Sequence, residues 1–487
     1  MKTWFDSETV IAPLEAFAVL PDWLAAGMDG ERVKESLQRQ VPEFVEGRPR
    51  LLSCTPERLR AKGDEWLARY QLSVAGPPRR LDSAEPRSVV VVGNLYGPLA
   101  ALPTGRGVGT AGGFGEAGWA CWLEDLRLEL RVETLDPALP ALQDIIDPVA
   151  ARDLLQQVIV EAGYADAAVT RCRPHVVRYK PGSRCTVVVE VDYDHANGNR
   201  PGPDPIVIKT HQGDKGQTAW AAMTALWQSP LARQGIVTLA EPLGYEPERR
   251  ILFQGPIPED CTLKELARTA LADGSDGQLD RLREELVRTG HALAALHQSS
   301  TTYGETATLD GELTELREVV SRLSFSVPSL EAAAKSLLTR VEELSVEFPA
   351  EGSVPSHHDF RPAQVLLHAG KVGFIDFDGA SMAEPALDLG RFRAKLRDIG
   401  ISVLSASGQP LAGAALAQHL TIMDGLCEHF LDAYTEKASV SRERVLLWET
   451  CDLVTAMLHA WTKVRLARIH PRLTVLKHHL QKHSVPN

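Results

Sequence analysis

Apolar positions change their period along the chain, and the change divides it. In the first third the runs are short and strand-like. EWLARYQLSVAG, from position 65, and RSVVVVGNLYG, from position 87, are rich in Val, Leu and Tyr and predict strands. DLRLELRVE, from position 125, alternates in the same way. Residues 30–48 admit a helix. PVAARDLLQQVIVEAG sets leucines and valines at helical spacing and predicts a helix stopping at Gly163. RPHVVRYKPGSRCTVVVEVDY then predicts two strands around a Lys-Pro-Gly-Ser turn, IVIKTH a third strand, and GQTAWAAMTALWQ a helix. ERRILFQGPIPEDCTLKEL reads as a strand, a Gly-Pro bend near Gly255 and the start of a helix. From about residue 262 the period is helical, with apolar faces over 278–298, 328–347, 410–435 and 440–466. Short strands around 356–380 interrupt it. These shifts predict an α+β chain: an N-terminal accessory domain over 1–155, a small strand-rich lobe over 156–255, and a large helical lobe over 256–487.

Composition narrows the function classes. The chain has 487 residues, 44% hydrophobic and 24% charged, which is ordinary for a globular protein. A net charge of −12 argues against nucleic acid as a main partner. No apolar run is long enough to span a membrane, and the N-terminus has no signal-peptide core. Seven scattered cysteines without a C-x-x-C pair suit a reducing cytoplasm and give no zinc pattern. GVGTAG at 107–112 matches G-x-G-x-x-G, but neither a strand before it nor a helix after it is predicted, so it reads as a loop rather than a dinucleotide site. His297, at a predicted helix end, reads as a packed or capping residue.

The chemistry concentrates in SHHDFRPAQVLLHAGKVGFIDFDGA, residues 356–380, where Asp359, Gln364, Asp376 and Asp378 flank short apolar runs. A bare surface loop between buried strands is one reading. Phosphoryl transfer is the other: it needs a carboxylate to accept a hydroxyl proton and hard oxygen ligands for magnesium. An Asp at the end of a strand suits the metal, and Asp359 with Gln364 suits the base and a second oxygen ligand.

HHDFRPAQVLL followed by VGFIDFDGASMAEPALDLG resembles the catalytic core of the aminoglycoside phosphotransferase family, which has a protein-kinase-like fold. The resemblance covers about residues 173–460 and implies a bilobal fold preceded by an extra α+β domain. It implies Asp359 as catalytic base, Gln364 and Asp376 as metal ligands, His357 as the structural histidine of the loop and Asp388 as a structural acid at a helix start. The nucleotide, ATP with GTP as a second possibility, would lie with Mg2+ under the 178–185 turn. Arg178, Lys180, Gly182, Ser183 and Arg184 would cover its phosphates and Lys209 would contact them. Its base would meet the linker of Phe253, Gln254 and Ile257 through backbone groups. Three positions depart from the family pattern. His358 stands for Gly; Gln364 stands for Asn, as in maltokinase-type enzymes; and the helix after Lys209 has no Glu to pair with the lysine, Gln217 being the nearest polar residue. The expected function is phosphorylation of a hydroxyl on a small molecule, a sugar or amino sugar first and an aminoglycoside-like antibiotic second. An acidic set, Asp424, Glu428, Asp432, Glu436 and Glu449, would favour a cationic acceptor if it faced a pocket, and otherwise forms a solvated face. A nucleotide-binding module without catalysis is the alternative.

Overall fold

The computed structural model describes residues 4–47, 49–62, 65–75, 86–103, 114, 119–132, 139–180, 182–194, 202–408 and 411–484. The glycine-rich 107–112 motif lies outside them. The chain forms two compact units.

The first unit takes in Met1–Leu135, Glu312–Leu344 and Leu453–Asn487. Its centre is a five-stranded antiparallel sheet in the order Arg50–Lys62, Glu65–Ala75, Arg87–Leu95, Leu128–Val132, Ala120–Leu123. Alternation in Glu65–Ala75 turns Trp66, Ala68, Tyr70, Leu72 and Val74 inward. Tyr70 satisfies its buried hydroxyl on the Gly27 carbonyl (2.7 Å), and Trp66 meets Trp23 edge to face. Gly93 sits where the Arg87–Leu95 strand crosses Glu129 so closely that a Cβ would strike the Glu129 carbonyl. Among the helical segments, Trp461 donates its indole N–H to the Phe17 carbonyl at 2.9 Å.

The second unit takes in Asp136–Gly311 and Ser345–Asp452. It opens with helix Pro148–Glu161, capped by Asp147, followed by Gly163 at φ +97. An antiparallel sheet follows, in the order Pro242–Glu246, Ile251–Gln254, Ile206–His211, Arg184–Asp194, Ala168–Lys180. Val187, Val189, Val191, Ile206, Ile208, Ile251 and Phe253 form its core with Leu155 and Ile159 of the helix. Helix Lys215–Gln228 follows the Ile206–His211 strand. Beyond Gly255 the unit is helical, interrupted by a four-stranded sheet ordered Cys261–Thr262, Val365–His368, Lys371–Phe374, Val237–Leu239, the last pair parallel. Thr262 and Glu265 form a reciprocal capping box at helix Leu263–Asp273. Helices Asp276–His297 and Gly413–Thr435 cross at Gly290, where a side chain would meet the backbone of Phe430 and Tyr434. This unit is α+β, as anticipated from the sequence: a strand-rich part, a bend at Gly255 and a largely helical part.

Candidate active site

Two strands deliver the charged groups. Ile206–His211 turns Ile208 into the sheet core and carries Lys209 and His211, two residues apart, on the opposite side. Lys371–Phe374 ends just before Asp376, whose backbone is left-handed at φ +71, a conformation Asp adopts more readily than most residues. A short 3-10 turn, Phe377–Gly379, then presents Asp378.

These residues form one ionic network. Lys209 Nζ lies 2.8 Å from Asp376 Oδ1 and 3.4 Å from Asp378 Oδ1. Arg184 Nη1 lies 3.1 Å from Asp378 Oδ2 and 3.6 Å from Asp376 Oδ1. His211 Nε2 is 2.8 Å from Asp378 Oδ2. Burial would raise the Asp378 carboxyl, but Lys209 and His211 beside it hold it well below the usual carboxylate range. Burial would lower Lys209, yet Asp378 and Asp376 outweigh it and keep the ammonium charged.

The 356–364 segment packs against the same acids. His357 is fully buried; its N–H donates to Asp388 Oδ2 (2.7 Å) and its Nε2 meets the Ile375 carbonyl (2.8 Å), so it ties this loop to the strand end before Asp376. His297 reaches the same Asp388 carboxylate (3.2 Å) and the Tyr434 hydroxyl (2.9 Å), which makes it a packed residue. Pro362–Gln364 form a 3-10 turn that turns Gln364 inward. The Gln364 amide donates to Asp376 Oδ2 (2.9 Å) and approaches Asp359 Oδ2 (3.4 Å). Arg361 pairs with Asp359 at 3.1 Å. His358 sits at φ +67, accepts or donates through Nδ1 to Ser381 Oγ (2.9 Å), and is pulled down to about 4 by burial and by Arg391.

Of the anticipated residues, Asp359, Gln364, Asp376, Lys209 and Arg184 converge. Arg178 is exposed but close enough to Arg184, Asp376 and Arg361 to feel their charge. Ser183 N–H closes the turn on the Lys180 carbonyl (3.0 Å) and Gly182 takes φ +65, while Lys180 points outward, exposed. Phe253 is different: its side chain is in the sheet core and its backbone is in the ladder between Gly244 and Ile208. Gln254 lines a small cavity with Asp376, Met223, Leu226 and Ala240, and Ile257 packs over Gly373. Gln217 is exposed; Asp378 is the acid that supplements Asp376 at Lys209. Asp378, His211 and Arg361 went unassigned in the sequence. The signal for Asp378 was present as a second acid two positions after Asp376, and that for His211 as its place two after Lys209.

Among the described residues no group of three or more His, Cys, Asp or Glu side chains is arranged to hold a metal. Magnesium is commonly held by one or two protein oxygens plus substrate phosphates. The Asp376 carboxylate with the Gln364 amide, turned to present its oxygen, fits that donor set.

The five acids singled out in the late helices are each in an ion pair. Glu449 lies between the buried Arg393 (2.7 Å) and Arg397 (2.6 Å). Asp424 pairs with Arg397, Glu428 with Arg393 and Arg442, Asp432 with Arg442, and Glu436 with His291.

Strand order, the Gly255 bend and this cluster place a buried ionic centre beside the Lys371–Phe374 strand end. Residues 227–418 match the model of the phosphotransferase enzyme family, APH. Among solved structures, a choline/ethanolamine kinase family protein from Mesorhizobium loti is similar at 14% identity, with 68% of this chain and 97% of that chain covered and a TM-score of 0.43. A glucosamine kinase is similar at 16% identity, with 88% and 92% covered and a TM-score of 0.44. A kanamycin- and GDP-bound aminoglycoside phosphotransferase gives 14%, 68% and 99%, and 0.41. No curated protein matches the chain.

Proposed function

We propose that the protein transfers the γ-phosphate of ATP to a hydroxyl of a sugar or amino sugar. The observation that carries this is the convergence of Asp359, Gln364 and Asp376 opposite Lys209 and Arg184, carboxylates facing cations with one carboxylate partly exposed. Asp359, whose side chain is 41% exposed, is the group able to meet an acceptor hydroxyl and take its proton. Lys209 and Arg184 supply positive charge for phosphate oxygens, and Arg178 adds to it from the rim. Magnesium, held by Asp376 and Gln364, would neutralise charge on the transferred group.

A neutral or singly charged acceptor fits better than a polycation. Each acid of the late-helix set is engaged by Arg393, Arg397, Arg442 or His291, so none is left free to meet the amines of an aminoglycoside. Incubation with magnesium and ATP against sugars, amino sugars and aminoglycosides tests the reading. The expected result is ADP release coupled to phosphorylation of a sugar or amino sugar. Nucleotide binding with no transfer to any of them would favour a non-catalytic module instead.

A further inference from the structure

The helix after the Lys209 strand, KGQTAWAAMTALWQ, contains no acidic residue. Yet Lys209 is buried, and a buried ammonium requires a fixed partner. We propose that Asp378 is the positioning residue for Lys209 and that His211 acts through Asp378 to hold it there. The proposal rests on the ATP-dependent reading above.

Asp376 cannot serve as that partner alone. Its Oδ1 faces Lys209 and its Oδ2 accepts from Gln364, and it is also the carboxylate best placed for an ion. Asp378 has no such second task. It is 9% exposed, turns Oδ1 toward Lys209 and gives Oδ2 to His211 and Arg184. His211 is itself 2% exposed, and among the described residues its Nδ1 is buried without a hydrogen-bond partner. The ring is therefore oriented by its contact with Asp378. Because Lys209 and His211 share one face of one strand, that strand delivers both the cation and the support of its anchor.

Asp378 also holds Arg184, which closes the Ala168–Lys180 and Arg184–Asp194 hairpin. One carboxylate thus sets two phosphate-facing cations. It sits two residues from Asp376, so the lysine anchor and the metal-side acid move as one piece of backbone. The position of the lysine then does not depend on a carboxylate carried by the Lys215–Gln228 helix.

The test compares wild type, Asp378→Asn, His211→Gln, His211→Leu, Lys209→Ala and Gln217→Ala, each checked for folding by circular dichroism. ATP affinity is titrated directly, and KM for ATP, kcat and magnesium requirement are measured on the best acceptor. Asp378→Asn is expected to weaken ATP binding and raise its KM by roughly tenfold or more. The same change made in Lys209→Ala should add little, because the two residues act as a unit. His211→Leu should weaken ATP binding less than Asp378→Asn, His211→Gln should recover part of the loss, and Gln217→Ala should match wild type. Wild-type ATP affinity in Asp378→Asn would overturn the proposal. So would a raised magnesium requirement with unchanged ATP affinity, which would make Asp378 a metal ligand, or full additivity with Lys209→Ala. The binding titration reads these outcomes even if no acceptor is phosphorylated, so failure of the transfer reading and failure of the positioning role remain distinct.

Discussion

His358 holds a left-handed backbone beside the proposed base, at the position where the family pattern has glycine. Glycine adopts φ near +67 without strain; histidine does so at a cost, offset here by its bond to Ser381 and by Arg391, which donates to the His358 carbonyl. The folded imidazole titrates at about 4, against 6.5 for an ordinary histidine. Between those values the unfolded chain binds more protons, so stability is full above the upper one and falls as pH drops through the window. His358→Asn, which tolerates the same backbone, should flatten that slope by on the order of 2 kcal/mol. Urea midpoints at about pH 7 and about pH 5 check it; an unchanged slope would assign the acid sensitivity elsewhere. At this scale the grouping of Asp359, Gln364 and Asp376 was legible because the three are close in sequence. The Lys209–Asp378 contact was not, because 169 residues separate the partners and only the packed strands bring them together.

Helix Ala386–Ala406 shows what periodicity misses. Asp388, Arg393 and Arg397 are buried in it, so positions that read as polar lie inside and the apolar stripe is blurred. The Arg50–Lys62 strand was obscured in another way: Pro56, Arg58 and Arg60 break its pattern, yet an edge strand with a register shift at Pro56 accommodates them. By contrast, Arg184–Asp194 and Glu65–Ala75 were legible because their alternation is regular. The buried arginines carry a prediction. Glu449 is the carboxylate common to Arg393 and Arg397, and its loss leaves two guanidinium groups short of countercharge. Glu449→Gln should cost ~3–5 kcal/mol in urea unfolding, whereas Glu436→Gln, at an exposed pair with His291, should stay within ~0.5 kcal/mol. Equal small effects would show that the Glu449 network is dispensable.

For the whole molecule, the candidate site lies in the second unit, while the first unit contributes a separate five-stranded sheet with its own aromatic core. The family match, over residues 227–418, includes Asp359, Gln364, Asp376 and Asp378 but not Lys209, Arg184 or the first unit's sheet. Among the described residues no helix is long and apolar enough to cross a membrane. The passage from strands to helices near Gly255 was legible from the change of period. The acids of the centre lie in one 25-residue stretch and Lys209 and Arg184 were named from the resemblance, but the ion pairs that join the two groups through Asp378 needed the fold to become visible. The central claim is that this centre transfers phosphate with Asp359 as base. It is tested most directly by the rate of magnesium-dependent transfer from ATP to the best acceptor in wild type and Asp359→Asn, with nucleotide affinity measured on the same preparations. Asp359→Asn is expected to bind ATP as wild type does and to lose on the order of 10²–10⁴ in rate. Transfer by Asp359→Asn at the wild-type rate would contradict the account.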